Sequence, residues 1–147
     1  MYRQIKRVKG KKYNNKNVIY DNIKFDSTKE GKRYLVLKQA ERDGIISDLE
    51  LQVKFELIPP IKEEYIKHLK TKDKVITRTL QLPITYICDF RYIKDSNVVI
   101  EDVKASPKMI PNDYKLKEKL FFWKFGIRII RIYNENESIW KLCVEIE

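Results

Sequence analysis

Three side chains stand at spacings that could do chemistry together: Asp89, Asp102 and Lys104. Asp89 lies in the run Tyr86-Ile87-Cys88-Asp89-Phe90, and Asp102 and Lys104 close the run Val98-Val99-Ile100-Glu101-Asp102-Val103-Lys104. The turn residues Asp95-Ser96-Asn97 between them predict a hairpin. Residues two apart on a strand point to one face, so Asp102 and Lys104 emerge side by side, with Asp89 opposite them on the adjacent strand. Two carboxylates and a lysine converging on a sheet face make a place to hold a divalent metal and activate water. The chain carries 31 Lys and Arg against 21 Asp and Glu, a formal charge of +10, and that balance points the chemistry toward nucleic acid.

An acid-x-lysine triplet is weak on its own in a chain that is 35% charged. It also occurs as Glu30 with Lys32 and as Asp113 with Lys115, but both of those fall in predicted helices, where positions two apart face different ways. Only Asp102 and Lys104 follow an apolar strand and pair with an upstream strand that bears an acid. Charges emerging from the end of a buried strand are costly unless paired or bound to metal, which makes this pair the candidate site.

The elements that must position these residues are legible along the chain. A helix is expected from Ser27 to about Asp43, opened by a capping box of Ser27 and Glu30 and stopped at Gly44, with Tyr34, Leu37 and Ala40 on its apolar side. Asp48 to Ile58 reads as a strand ended by Pro59-Pro60. Glu63 to Lys70 fits either a short helix or an extended arm, and Val75 to Leu82 reads as extended. Lys67, Lys70, Lys72, Lys74 and Arg78 make this segment a protruding basic hairpin or a sheet edge guarded by lysines. A second helix is expected from about Asn112 to Phe125, with Leu116, Leu120 and Trp123 as its apolar stripe and Phe121 and Phe125 beside it, closed by Gly126. Ile127 to Tyr133 and Trp140 to Ile146 read as final strands around a polar turn at Asn134 to Ser138. The fold class is therefore α/β, a central mixed sheet flanked by helices. Residues 1–24 form a basic N-terminal arm, and residues 25–147 form a single domain with a basic insertion at about 61–81.

Composition narrows the chemistry further. With 147 residues, 43% of them hydrophobic, the chain suits one domain with one core. Two cysteines, Cys88 and Cys143, read as small core residues. With the single histidine, His68, they cannot build a four-ligand zinc cluster. His68 sits among lysines as a surface residue, which argues against a Ser-His-Asp hydrolase. No apolar run is long enough to span a bilayer, and the first residues lack the apolar region of a signal peptide, so no membrane partner and a cytoplasmic location are expected.

Asp89 followed by Asp102-Val103-Lys104, with an acidic helix upstream, resembles the PD-(D/E)xK nuclease superfamily. More narrowly, the chain is similar to a family of small phage-encoded proteins assigned to it. The resembling stretches are Phe25-Asp26-Ser27-Thr28-Lys29-Glu30 with Arg33-Tyr34, Gln52 to Leu57, Cys88 to Tyr92, Glu101 to Lys104, and Lys117 to Phe121 before Phe125-Gly126-Ile127. Two departures stand out: Cys88 takes the position of the superfamily's proline, and no glutamine-tyrosine helix motif follows Lys104.

The resemblance implies a restriction-endonuclease-like core and metal-dependent phosphodiester cleavage. Asp89 and Asp102 would bind Mg²⁺ or Mn²⁺ as hard oxygen ligands, with the Val103 carbonyl as a further ligand. Glu101 takes the place of Asp102 if the strand bulges. Lys104 would position or deprotonate the attacking water, or offset charge at the phosphate. Glu30 has two readings, completing the metal shell or only capping its helix; Asp26 and Glu56 are weaker candidates. Lys29, Lys32, Arg33, Lys108, Lys115, Lys117 and Lys119 would contact phosphates, with Tyr13, Tyr65 and Tyr114 as stacking aromatics.

The expected activity is a Mg²⁺-dependent DNA endonuclease selective for branched DNA, as a Holliday-junction resolvase is. Such an enzyme works as a homodimer, in the bacterial host's cytoplasm if the protein is phage-encoded. Two alternatives stand beside it: a non-catalytic nucleic-acid-binding protein on the same fold, and a restriction-like or transposon-end nuclease with sequence preference.

Overall fold

The computed structural model describes residues 16–139. The expected N-terminal arm up to Lys16, Tyr13, the strand expected over 140–146 and Cys143 lie wholly or mainly outside these residues. The described chain opens with a small hairpin, β1 (Val18–Tyr20) and β2 (Ile23–Phe25), followed by helix α1 (Thr28–Arg42) and the long strand β3 (Ser47–Ile58). Strands β4 (Ile61–His68) and β5 (Asp73–Gln81) come next, then β6 (Ile84–Lys94), β7 (Asn97–Val103), helix α2 (Asn112–Phe125) and β8 (Ile129–Ile132). The main sheet has the order β3-β6-β7-β8, antiparallel except for the parallel pair β7 and β8 that α2 connects. This is the mixed α/β architecture, a central mixed sheet flanked by two helices.

Local chemistry explains most of these elements. Ser27 Oγ accepts the Glu30 N–H at 3.1 Å and starts α1. Gly126 ends α2 in the left-handed region at φ 68°, where a residue with a side chain would be strained. The turns Asp21-Asn22 and Asp95-Ser96 both have two successive positive φ angles, the primed geometry that matches strand twist in tight hairpins.

The core lies in two layers. Phe25, Tyr34, Leu37, Ala40, Phe90, Tyr92 and Val99 pack between α1 and the sheet. Tyr86, Cys88, Ile100, Tyr114 and Phe121 pack beneath α2, where Phe55, Phe121 and Phe125 meet with ring centroids 4.7–5.6 Å apart.

Several expectations are corrected here. Residues 18–24 are not part of an unstructured arm: the hairpin packs on α1, and Asp21 accepts a 2.8 Å hydrogen bond from the Tyr34 hydroxyl. The stripe on α2 is rotated. Trp123 is 80% exposed and Leu116 56%, while Tyr114 and Phe121 face the core. Residues 116, 120 and 123 have helical spacing, but so do 114, 121 and 125, and only the sheet decides between them. The basic insertion is a hairpin, β4 with β5, exposed along most of its length. His68 is exposed, as expected, but pairs with Asp73 at 2.7 Å.

Gly31 is the point where the N-terminal hairpin meets α1. A Cβ there would stand 2.5 Å from Val18 Cγ2 and 2.8 Å from Tyr20 Cε2. Gly31→Ala is therefore expected to destabilise the protein although alanine favours helix. Overpacking costs about 1–3 kcal/mol and the helix preference returns about 1 kcal/mol. A lowered urea midpoint together with faster proteolysis near residue 20 checks this; an unchanged midpoint would show that the hairpin yields freely.

Candidate functional site

The site forms where β6 leaves β7. Their ladder runs from Lys94↔Asn97 down to Phe90↔Glu101 and stops. One step further, Asp89 stands opposite Asp102. Its Oδ2 accepts the Val103 N–H at 2.7 Å, so a carboxylate satisfies the backbone donor at the end of the ladder. On the other side of β6, Gln52 has φ 52° in the middle of β3. Leu49 and Leu51 before it pack in the α1 layer, whereas Val53 and Phe55 after it pack in the α2 layer. The strand thus turns over at Gln52, beside Asp89.

Asp102 is nearly buried. Its Oδ2 accepts from the Tyr86 hydroxyl at 3.0 Å and pairs with Lys104 Nζ at 3.0 Å. Lys104 Nζ also lies 3.9 Å from the centroid of the Tyr114 ring. Asp89, Asp102 and Lys104 line one open cavity of about 390 Å³ with Tyr86, Tyr114 and Lys117. The Tyr114 hydroxyl is buried and makes no hydrogen bond of normal geometry among the described residues. Burial, followed by the charge of Asp102, raises the Tyr86 hydroxyl well above its ordinary range and keeps it a donor. Burial likewise pushes the Cys88 thiol up to about 12, which removes it as a nucleophile.

Glu30 stands at the edge of this cavity rather than inside it. Gln52 Nε2 bridges Glu30 Oε1 at 3.0 Å and Asp89 Oδ1 at 3.2 Å. Burial and then Asp26 raise the Glu30 carboxyl from its ordinary value. Gln52 was not singled out by the sequence, because nothing in its type or spacing announces a mid-strand positive φ.

Three expected site residues are corrected. Glu101 cannot replace Asp102, because it faces the α1 layer and forms a two-bonded pair with Arg33, Nε–Oε2 2.8 Å and Nη2–Oε1 2.5 Å. Arg33 is fully buried and therefore cannot be a phosphate contact; its remaining nitrogen donates to the carbonyls of Glu135 and Glu137. Tyr114 is also too buried to stack on a base, whereas Tyr65 is exposed. Of the other lysines, Lys29 Nζ reaches the carbonyls of Lys104 and Ala105, and Lys32 pairs weakly with Glu135 at 3.5 Å. Lys108, Lys115 and Lys119 are exposed. Asp26 and Glu56 are exposed and do not line the cavity.

Asp89 and Asp102 offer adjacent hard oxygen donors, the chemistry a divalent cation takes. Burial, and next the adjacent Asp102 charge, raise the Asp89 carboxyl to about 8, the state of two carboxylates competing for one positive charge. Among the described residues no three His, Cys, Asp or Glu side chains gather as a ready-made metal group. Mg²⁺ commonly takes one or two carboxylates and fills the rest of its shell with water and phosphate oxygens, so two suffice.

The raised Asp89 value has a direct consequence for the metal-free protein. Its folded-state pKa lies above its unfolded value near 3.8, so the contribution is fully present below about 4 and is lost as pH rises toward about 8. Asp89→Asn is expected to flatten this fall in melting temperature between pH 4 and 8, read as the difference between variant and parent in EDTA. Parallel curves would remove Asp89 as the titrating group.

The fold and this site define a small mixed α/β protein with a paired-carboxylate, lysine-bearing pocket at a diverging strand pair. The chain belongs to the DUF1064 family, described as proteins of unknown function, whose sequence pattern matches residues 10–142. No curated protein and no solved structure matches the chain. Among the described residues no helix is long and apolar enough to cross a membrane.

Proposed function

We propose that the protein is a metal-dependent DNA endonuclease acting on branched DNA. The observation that carries this reading is the gathering of Asp89, Asp102 and Lys104 in one open cavity bordered by Lys117 on a strongly basic chain. Mg²⁺ or Mn²⁺ held by Asp89 and Asp102, with the Val103 carbonyl as a further candidate ligand, would supply a water of lowered pKa and offset charge at phosphorus.

The chain's own groups do the rest. The Val103 N–H and Gln52 fix the Asp89 carboxylate, and Tyr86 fixes that of Asp102. Lys104, steadied by Asp102 and the Tyr114 ring, presents its ammonium protons to the attacking water or a phosphate oxygen. Glu30, tied to Asp89 through Gln52, would help orient the Asp89 carboxylate toward a bound metal. Lys29, Lys32, Lys108, Lys115, Lys117 and Lys119 supply salt-sensitive phosphate contacts.

The test is incubation with junction, flap and linear duplex DNA in Mg²⁺ and in EDTA. Cleavage of branched substrates in Mg²⁺ alone is the expected result, and a second copy of the chain would cut the opposing strand. Equal cleavage of linear duplex removes the branch selectivity, and a single repeated cut sequence on long DNA favours a sequence-preferring enzyme. A second reading, DNA binding without cleavage, is favoured by the engagement of both carboxylates by groups of the protein itself. Tight junction binding with no cleavage in Mg²⁺ or Mn²⁺ would establish it.

A further inference from the structure

Behind Tyr114 lies a second concavity that the cleavage chemistry does not use. It is an open cleft of about 510 Å³ between α2 and β8. Its helix wall presents Lys115, Glu118, Lys119 and Phe122, one face at three- and four-residue spacing, and its other wall includes Arg128, just before β8, and Arg131 on it. Glu118 is spent on Arg131, held by two bonds of 2.8 and 2.7 Å, so its charge is already answered. Lys115, Lys119 and Arg128 are exposed, and Phe122 is 46% exposed with the Arg128 guanidinium 5.6 Å from its ring centroid.

Two features connect this cleft to the carboxylate cavity. Helix α2 serves both, with Tyr114 and Lys117 on one side and Lys115 and Lys119 on the other. The Tyr114 ring stands between them, with Lys104 Nζ at 3.9 Å and Arg131 Cζ at 5.7 Å.

We infer that the α2–β8 cleft binds an unpaired strand of nucleic acid, with a base on Phe122 and Arg128 and its flanking phosphates on Lys115 and Lys119. Cations alone would suit any polyanion. The exposed ring under a guanidinium adds a demand for a flat face, and a duplex hides its base faces while a single strand offers them. This rests on the nucleic-acid reading above and deepens it, since an unpaired strand beside the cleavage cavity is what a flapped branch provides.

The test is binding in EDTA, by fluorescence anisotropy, of a labelled 12-nucleotide single strand and of a duplex. Phe122→Ala is expected to weaken single-strand binding roughly ten-fold while changing duplex binding less than about two-fold. Phe122→Tyr should bind as the parent does. Lys119→Gln should lower the salt slope for the single strand by about 0.7. Both sites are exposed, and a circular dichroism melt confirms folding.

Unchanged single-strand affinity, equal loss on duplex, or displacement by polyglutamate as effective as by oligonucleotide overturns the assignment. The assay contains no metal and reads no cleavage. Selective loss in a protein that never cuts DNA would uphold the cleft and defeat the nuclease proposal, and cleavage with unchanged variant binding would do the reverse.

Discussion

Asp102→Asn is expected to lower metal-dependent cleavage by about 10²–10³-fold while the protein stays folded, the scale on which a group that stabilises developing charge acts. The asparagine can still accept from the Tyr86 hydroxyl, so the packing around it survives. What is lost is a hard anionic donor for the cation and the partner that fixes Lys104 at 3.0 Å. Lys104 is partly exposed, so its freed ammonium turns to water and does not remain buried and unpaired. Three measurements separate the outcomes: cleavage of a labelled junction in Mg²⁺, junction binding in EDTA, and the melting temperature. Lost cleavage with retained binding and melting is the expected pattern. A variant that cuts at the parent rate would remove Asp102 from the site and send the search for the cleaving groups elsewhere in the chain.

Arg33→Met is expected to produce the largest stability change of any single substitution discussed. Arg33 is 0% exposed and Glu101 1%, and the pair makes two direct bonds. Removing one partner of such a buried pair costs about 3–5 kcal/mol, because the other charge stays behind without compensation. Glu101 would keep only the Tyr92 hydroxyl, at 2.6 Å, among its present side-chain partners. The same change releases the carbonyls of Glu135 and Glu137, so the segment after β8 loses its buried anchor to α1 and keeps the weak Lys32–Glu135 pair. Against a total stability of about 5–15 kcal/mol this is a large share. Urea denaturation measures it. The double variant Arg33→Met with Glu101→Leu should recover much of the loss, since replacing both charges removes the orphan. A single-variant cost below about 1 kcal/mol would show that Glu101 finds water or another partner.

The two predictions concern adjacent residues of β7 with opposite fates, and that contrast shows what can be read without a structure. Strand alternation puts Asp102 and Lys104 on one face and Glu101 on the other, whatever lies beyond. It does not say which face meets α1. Arg33 looked like a phosphate contact because it stands among Lys29 and Lys32 on a helix near the site. Its burial follows from the helix's rotation against β7, a relation between residues 68 positions apart. The stripe on α2 failed for the same reason, since two helical faces carried aromatic residues and the sheet chose one.

The sequence by itself determined the local items: the capped start of α1, the turn at Asp95-Ser96-Asn97, the glycine that ends α2, the antiparallel hairpin, and the spacing of the acid and lysine on one strand. Each is fixed by interactions among residues close along the chain. Only the tertiary structure decided what Arg33 and Glu101 are for, where β6 parts from β7, and that Gln52 links Glu30 to Asp89. Those outcomes depend on long-range packing, where burial turns an ordinary charged residue into either a structural pair or a reactive group.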